Sequence, residues 1–223
     1  MTEYQHEQMQ ALELVTDYLS GLTPADMDAL KHKLADYLSF RKDVGTFLST
    51  HFSDICSETC YQSQVSACCT REGIITFFAD VVINVVMSNA MEIKALFEVL
   101  SSPQEGSKCI YLGEQGCLWQ LKPLICEMFL CNKAEDVVLK TNQDFQDEWH
   151  ALKKREKSFR WPDQKVLFDD LEQLFLDVGY SSPLMYLHNS PGLLRVKEKG
   201  LRVGGAEGDR RVRGSEGDTR VRG

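Results

Sequence analysis

Residues 73–91, GIITFFADVVINVVMSNAM, form the longest apolar run of the 223-residue chain and decide between a membrane span and a buried helix. A spanning helix needs about 20 residues that are nearly all apolar. Asp80 and Asn84 interrupt this run near its middle. The run is therefore read as a buried helix, over about 76–88, of a soluble and mainly α protein. For Asp80 itself two readings stay open: a functional carboxylate near a metal, or a group that is paired or at the rim of the core.

Working outward, the flanking segments also carry helical spacing. QHEQMQALELVTDYLSGL has apolar residues at 9, 12, 14, 15, 18, 19 and 22 and stops near Gly21. Thr23 then stands as an N-cap before Pro24 at the first helical position, with Asp26 and Asp28 suited to the positive helix end. This start predicts one helix through TPADMDALKHKLADYLSFRKDVGTFLSTHF, antiparallel to the first. A further helix is predicted over 90–101. KAEDVVLKTNQDFQDEWHALKKREKSFRW reads as one long helix broken by Pro162, and DQKVLFDDLEQLFLDVGY as an amphipathic helix with 167, 168, 171, 174, 175 and 178 on one face. Strand alternation is confined to a short hairpin in KCIYLGEQGCLW, around Gly113 and Gly116.

Eight cysteines fall into two groups, Cys56-x3-Cys60-x7-Cys68-Cys69 and Cys109-x7-Cys117-x8-Cys126-x4-Cys131. The chain opens MTEYQHEQMQALELVTDYLS, without the basic and apolar regions of a secretory signal, so a cytoplasmic location is expected. In a reducing compartment, clustered thiols read as metal-binding or catalytic before they read as disulfides. No C-x2-C is present, which excludes a zinc ribbon, a thioredoxin pair and a ferredoxin run. The C-x3-C at 56 and 60 opens like a radical S-adenosylmethionine motif, but its third cysteine would fall at Ser63. Thiolate-only ligation favours zinc or an iron–sulfur centre over magnesium or calcium and leaves those two open, as two four-cysteine zinc sites, one cluster or a polynuclear centre. Pro123 at a helix start and Gly116 at a tight turn suit thiolates at Cys117 and Cys126, because a positive helix end stabilises them.

The segments ACCTREG and CIYLGEQGCLWQLKPLICEMF together resemble the YkgJ-like cysteine-cluster family of zinc- or iron-chelating proteins, in its C-x-[FY]-L…G-C…[RK]-P-x2-C-x2-F pattern. The resemblance covers residues 56–131. Lys122 stands where that family usually has arginine, and Glu127 where it often has a second. The resemblance implies metal ligation by the cysteines; some proteins similar to the family are associated with methyl transfer to protein lysines.

Other residues take plainer readings. His51 is a polar residue ending its helix in preference to a nitrogen ligand, Glu127 a solvated carboxylate in preference to a general base, and Trp119, Trp149 and Trp161 are core. No G-x-S-x-G, P-loop, G-x-G-x-x-G or H-E-x-x-H motif appears, which leaves hydrolase, nucleotide-binding and zincin chemistry without support.

The formal charge is −8, yet from Arg195 onward nine basic residues face five acidic ones, leaving about −12 on residues 1–194. That balance argues against a nucleic-acid groove in the body. The end of the chain repeats EGDRRVRGS as EGDTRVRG with almost no large apolar groups, so 197–223 is predicted to be disordered.

The organisation expected is a helical pair at 1–52, a cysteine-cluster metal-binding region at 53–132, helices at 133–196 packing on it, and the tail. The function expected is a metal-binding protein holding an iron–sulfur centre or zinc through Cys56, Cys60, Cys68, Cys69, Cys109, Cys117, Cys126 and Cys131. Two alternatives stand beside it: a metal-dependent, methyltransferase-like enzyme, and a helical interaction module with redox-active thiols.

Overall fold

The computed structural model describes residues 1–56, 69–70, 76–103, 106–160 and 165–186. Cys60, Cys68, Trp161, Pro162 and the repeat tail lie outside the described residues. Within them the chain is mainly helical, in the order α1 (Glu3–Ser20), α2 (Pro24–Lys33), α3 (Ala35–Ser53), α4 (Phe78–Met87), α5 (Ala90–Ser101), β1 (Leu112–Gly113), β2 (Gly116–Cys117), α6 (Leu124–Glu127), α7 (Asn132–Ala134), α8 (Gln143–Arg160) and α9 (Leu167–Leu176). No helix among the described residues is long and apolar enough to cross a membrane.

The apolar run forms α4, and residues 78–85 of it are buried without a break, Asp80 and Asn84 included. Such a helix must be surrounded. α1 and α9 both pack on it, α1 also meets α5, α8 packs on α9, and α3 on α8. The expected pairing of α1 with the second helix is thus replaced: α1 turns its Ala11, Leu12, Val15 and Leu19 face chiefly towards α4 and α5. Gln5 secures this arrangement. Its Oε1 accepts from the Thr2 amide at 2.8 Å in a capping box, while its Nε2 donates to Leu100 O at 3.0 Å and Ser102 O at 2.7 Å at the end of α5.

Aromatic rings fill the other half of the core. Tyr37, Phe40, Phe159 and Phe168 contact one another, Phe47 stacks on Trp149 at 5.5 Å, and Phe78 meets Phe175 edge-on at 5.0 Å.

Two predicted helices are each interrupted. The second breaks at Leu34, whose backbone (φ −83°, ψ −9°) leaves ideal helix while its side chain is fully buried, so core packing sets the turn. The long helix after Cys131 becomes α7, a π-helical turn at Glu135–Leu139, and α8. Asn142 starts α8 by accepting at Oδ1 from the amides of Asp144 (3.0 Å) and Phe145 (3.2 Å). The hairpin forms where expected, with Leu112 opposite Cys117 and Gly116 at φ +113°, a conformation suited to glycine. The apolar face of α9 holds at Phe168, Leu171 and Phe175, but Val178 lies past the helix end and is exposed.

Candidate metal centre

Asp80 and Asn84 are one turn apart on α4 and face the same way. Both reach residues 121–124, the stretch that leads into Cys126. The Leu121 amide donates to Asn84 Oδ1 at 2.9 Å, and the Leu124 amide to Asp80 Oδ1 at 3.0 Å. Asp80 Oδ2 accepts at 3.0 Å from the Phe77 amide at the start of its own helix. Its carboxyl therefore caps α4 and α6 together. Burial pushes its pKa up to about 6, against the opposing pull of those two amides and of Arg41 and Arg160. Asp80 is thus paired with two backbone amides inside the core.

Arg41 of α3 supplies a third hold that the sequence does not advertise. It is buried, donates from Nη1 to Tyr37 Oη at 2.7 Å and from Nη2 to Lys122 O at 2.7 Å, and has Glu127 Oε2 at 3.8 Å. Lys122 Nζ is 3.7 Å from the same Glu127 oxygen. Glu127 is thus an ion-paired and largely covered carboxylate, where a solvated one was expected, because Arg41 reaches it from below and Lys122 from the solvent side. Segment 121–127 is thus held from α4 by Asn84 and Asp80 and from α3 by Arg41.

The two cysteine groups meet at the backbone. The Cys109 amide donates to Cys69 O at 3.0 Å, and Thr70 and Lys108 form an antiparallel bridge. The Leu118 amide donates to Tyr111 O at 2.9 Å, which folds Cys117 back beside Cys109. Cys117 and Cys126 lie close enough to Cys109 that a charge on either would push the Cys109 thiol further up.

Burial already pushes the Cys109 thiol up to about 11, and burial raises Cys117 as well. Backbone amides oppose it, that of Tyr111 directed at the Cys109 sulfur and that of Trp119 at the Cys117 sulfur, and Lys122 also favours the Cys117 thiolate. The helix end expected to stabilise these thiolates belongs to α6, which is one turn long and whose Leu124 amide is taken by Asp80.

Cys131 precedes α7, half-buried against the core, and Cys56 is exposed just beyond α3. No disulfide links two described cysteines. His51 packs its ring on Phe145 at 3.9 Å and on Phe47 at 4.9 Å, in keeping with an ordinary helix residue. Trp119 and Trp149 are buried, as expected of core residues.

These thiols suit a soft cation in one respect and fall short in another. Three neighbouring thiolates repel one another, so ionising them together in a buried place requires a compensating positive charge, and amide N–H groups aimed at sulfur stabilise the ligating form. Yet among the described residues no three Cys, His, Asp or Glu side chains form a group tight enough to hold one ion. Ligation needs the thiols to swing together or to be joined by Cys60 or Cys68. Comparison of the chain with family models, with curated proteins and with solved structures finds no match.

Proposed function

We propose that this chain is a metal-binding protein in which Cys69, Cys109, Cys117 and Cys126 form the heart of an iron–sulfur or zinc site, in line with its resemblance to YkgJ-like cysteine-cluster proteins. The backbone bond between Cys109 and Cys69 supports this reading, because it joins two cysteine groups that are far apart in sequence, and Cys117 and Cys126 lie near enough to Cys109 to interact with it electrostatically. A cation bound there would tie the first cysteine segment to the hairpin and to α6, and its binding energy would add to folding energy.

At Cys109 and Cys117, thiol chemistry weighs against the redox-module alternative. A reactive cysteine needs a lowered pKa, and burial raises that of Cys109 and Cys117.

Metal analysis with an ultraviolet–visible spectrum on protein purified without oxygen tests the proposal. Iron with acid-labile sulfide and broad visible absorbance means a cluster, and stoichiometric zinc in colourless protein means a zinc site. Reactive thiols throughout, with no bound metal, would remove the proposal. So would unchanged metal loading in all of Cys69→Ser, Cys117→Ser and Cys126→Ser.

A further inference from the structure

Behind the hairpin, between α1, α4 and α5, lies a small cavity of about 10 Å³, lined by Gln8, Val81, Asn84, Leu96, Tyr111 and Trp119 among others. That is roughly the space of one water. Two buried donors on its wall, Asn84 Nδ2 and Trp119 Nε1, have no hydrogen-bond partner among the described residues. The orientation of the Asn84 amide is set independently, because its Oδ1 accepts from the Leu121 amide. The wall also supplies acceptors: Gln8 Oε1, which receives the Tyr111 hydroxyl at 3.2 Å and keeps a second lone pair, and Tyr111 Oη itself.

We propose that this cavity is a built site for a single structural water. Its two lone pairs would accept from Asn84 Nδ2 and Trp119 Nε1, and its protons would go to Gln8 Oε1 and Tyr111 Oη. A cavity with only Leu and Val walls stays dry, whereas one with two unsatisfied donors and two acceptors binds water with most of its hydrogen bonds met. The water joins α1 through Gln8, α4 through Asn84, and both sides of the hairpin through Tyr111 and Trp119. It therefore anchors the Cys109–Cys117 hairpin from behind, and the proposal holds whether or not the cysteines bind a metal.

The test uses the 223-residue chain and needs no variant to begin. Water-selective nuclear Overhauser spectra should show a cross-peak between a long-lived water and the Trp119 indole N–H. A high-resolution crystal structure should place one water within hydrogen-bond distance of both donors. A dry cavity with no such cross-peak would overturn the proposal, and so would a Gln8 side chain turned to bond both donors directly. Val81→Leu, which fills the cavity with one added carbon, should abolish the cross-peak; a cross-peak that persists in the folded variant would place the water elsewhere and equally overturn it.

Discussion

Asp80→Asn preserves side-chain volume but leaves one oxygen where two backbone amides need an acceptor. In the native chain Phe77 N and Leu124 N each donate to a different carboxyl oxygen at 3.0 Å. The variant keeps one of these bonds and turns an NH₂ group against the other donor. One buried, unsatisfied amide costs about 1–3 kcal/mol. Against this runs the burden of ionising a buried carboxyl, whose folded pKa of about 6 lies above its ordinary value of 3.8. A raised folded pKa means that the folded state holds its proton longer, so the stability linked to Asp80 is fully present below about pH 4 and is lost as pH rises through about 6. Two pKa units correspond to about 3 kcal/mol. The variant has no such titration. The native chain's stability relative to the variant should therefore fall by about 2–3 kcal/mol between pH 4 and pH 7. Chemical denaturation across that range measures the gap, and hydrogen exchange at Phe77 and Leu124 reports which amide lost its acceptor. A deficit that grows with pH would mean that the amides and Arg41 outweigh burial and that Asp80 is held as a carboxylate. Unaltered exchange at both amides would refute the double cap.

Arg41→Met should destabilise by about 3 kcal/mol, because Tyr37 Oη, Lys122 O and Glu127 lose a buried donor together; thermal and urea unfolding would register it, and a loss below about 0.5 kcal/mol would show that the clamp is idle. Asn142→Ala should cost about 1 kcal/mol and speed exchange at Asp144 and Phe145 while distant amides keep their protection. Trp149→Ala should cost about 3–5 kcal/mol in the same unfolding assay, since a fully packed ring stacked on Phe47 leaves a large hole. Chelation or Cys117→Ser should lower thermal stability together with metal content; stability that ignores both would separate the cysteines from any metal-linked folding energy.

Much of the helical layout was legible because its signals are local. Gly21, the Thr23–Pro24 start, the unbroken apolar face of α4 and the glycines of the hairpin each act through the backbone or the residues next to them. The turn at Leu34 has no such mark. Its neighbours are Lys33 and Ala35, good helix formers, and only burial of Leu34 against the rest of the protein makes a bend there worthwhile. The start of α8 is different, for Asn142 was a visible cap in TNQD that the long periodic pattern concealed.

The site follows the same division. Asp80 and Asn84 stood out because a polar residue in an apolar helix must find a partner, and their spacing put both on one face. Arg41, within FRKDV, looks like an exposed helix arginine, and its decisive partner Lys122 lies 81 residues away in sequence. The sequence showed which groups required partners and was silent on who came to meet them. The outcome bears on the metal proposal directly. Segment 121–127 is held by an amide, a carboxylate and a guanidinium, none of which a metal would supply. Cys126 thus sits on a frame fixed by hydrogen bonds and ion pairs, while Cys69 and Cys109 are joined by a backbone bond. A site with one arm preset in this way should retain the α4–α6 contacts when its metal is removed, so loss of metal should raise exchange at Cys109 and Cys117 while the Leu121 and Leu124 amides stay protected. Equal loss of protection at all four would mean that the metal, and not Asp80, Asn84 and Arg41, organises the segment.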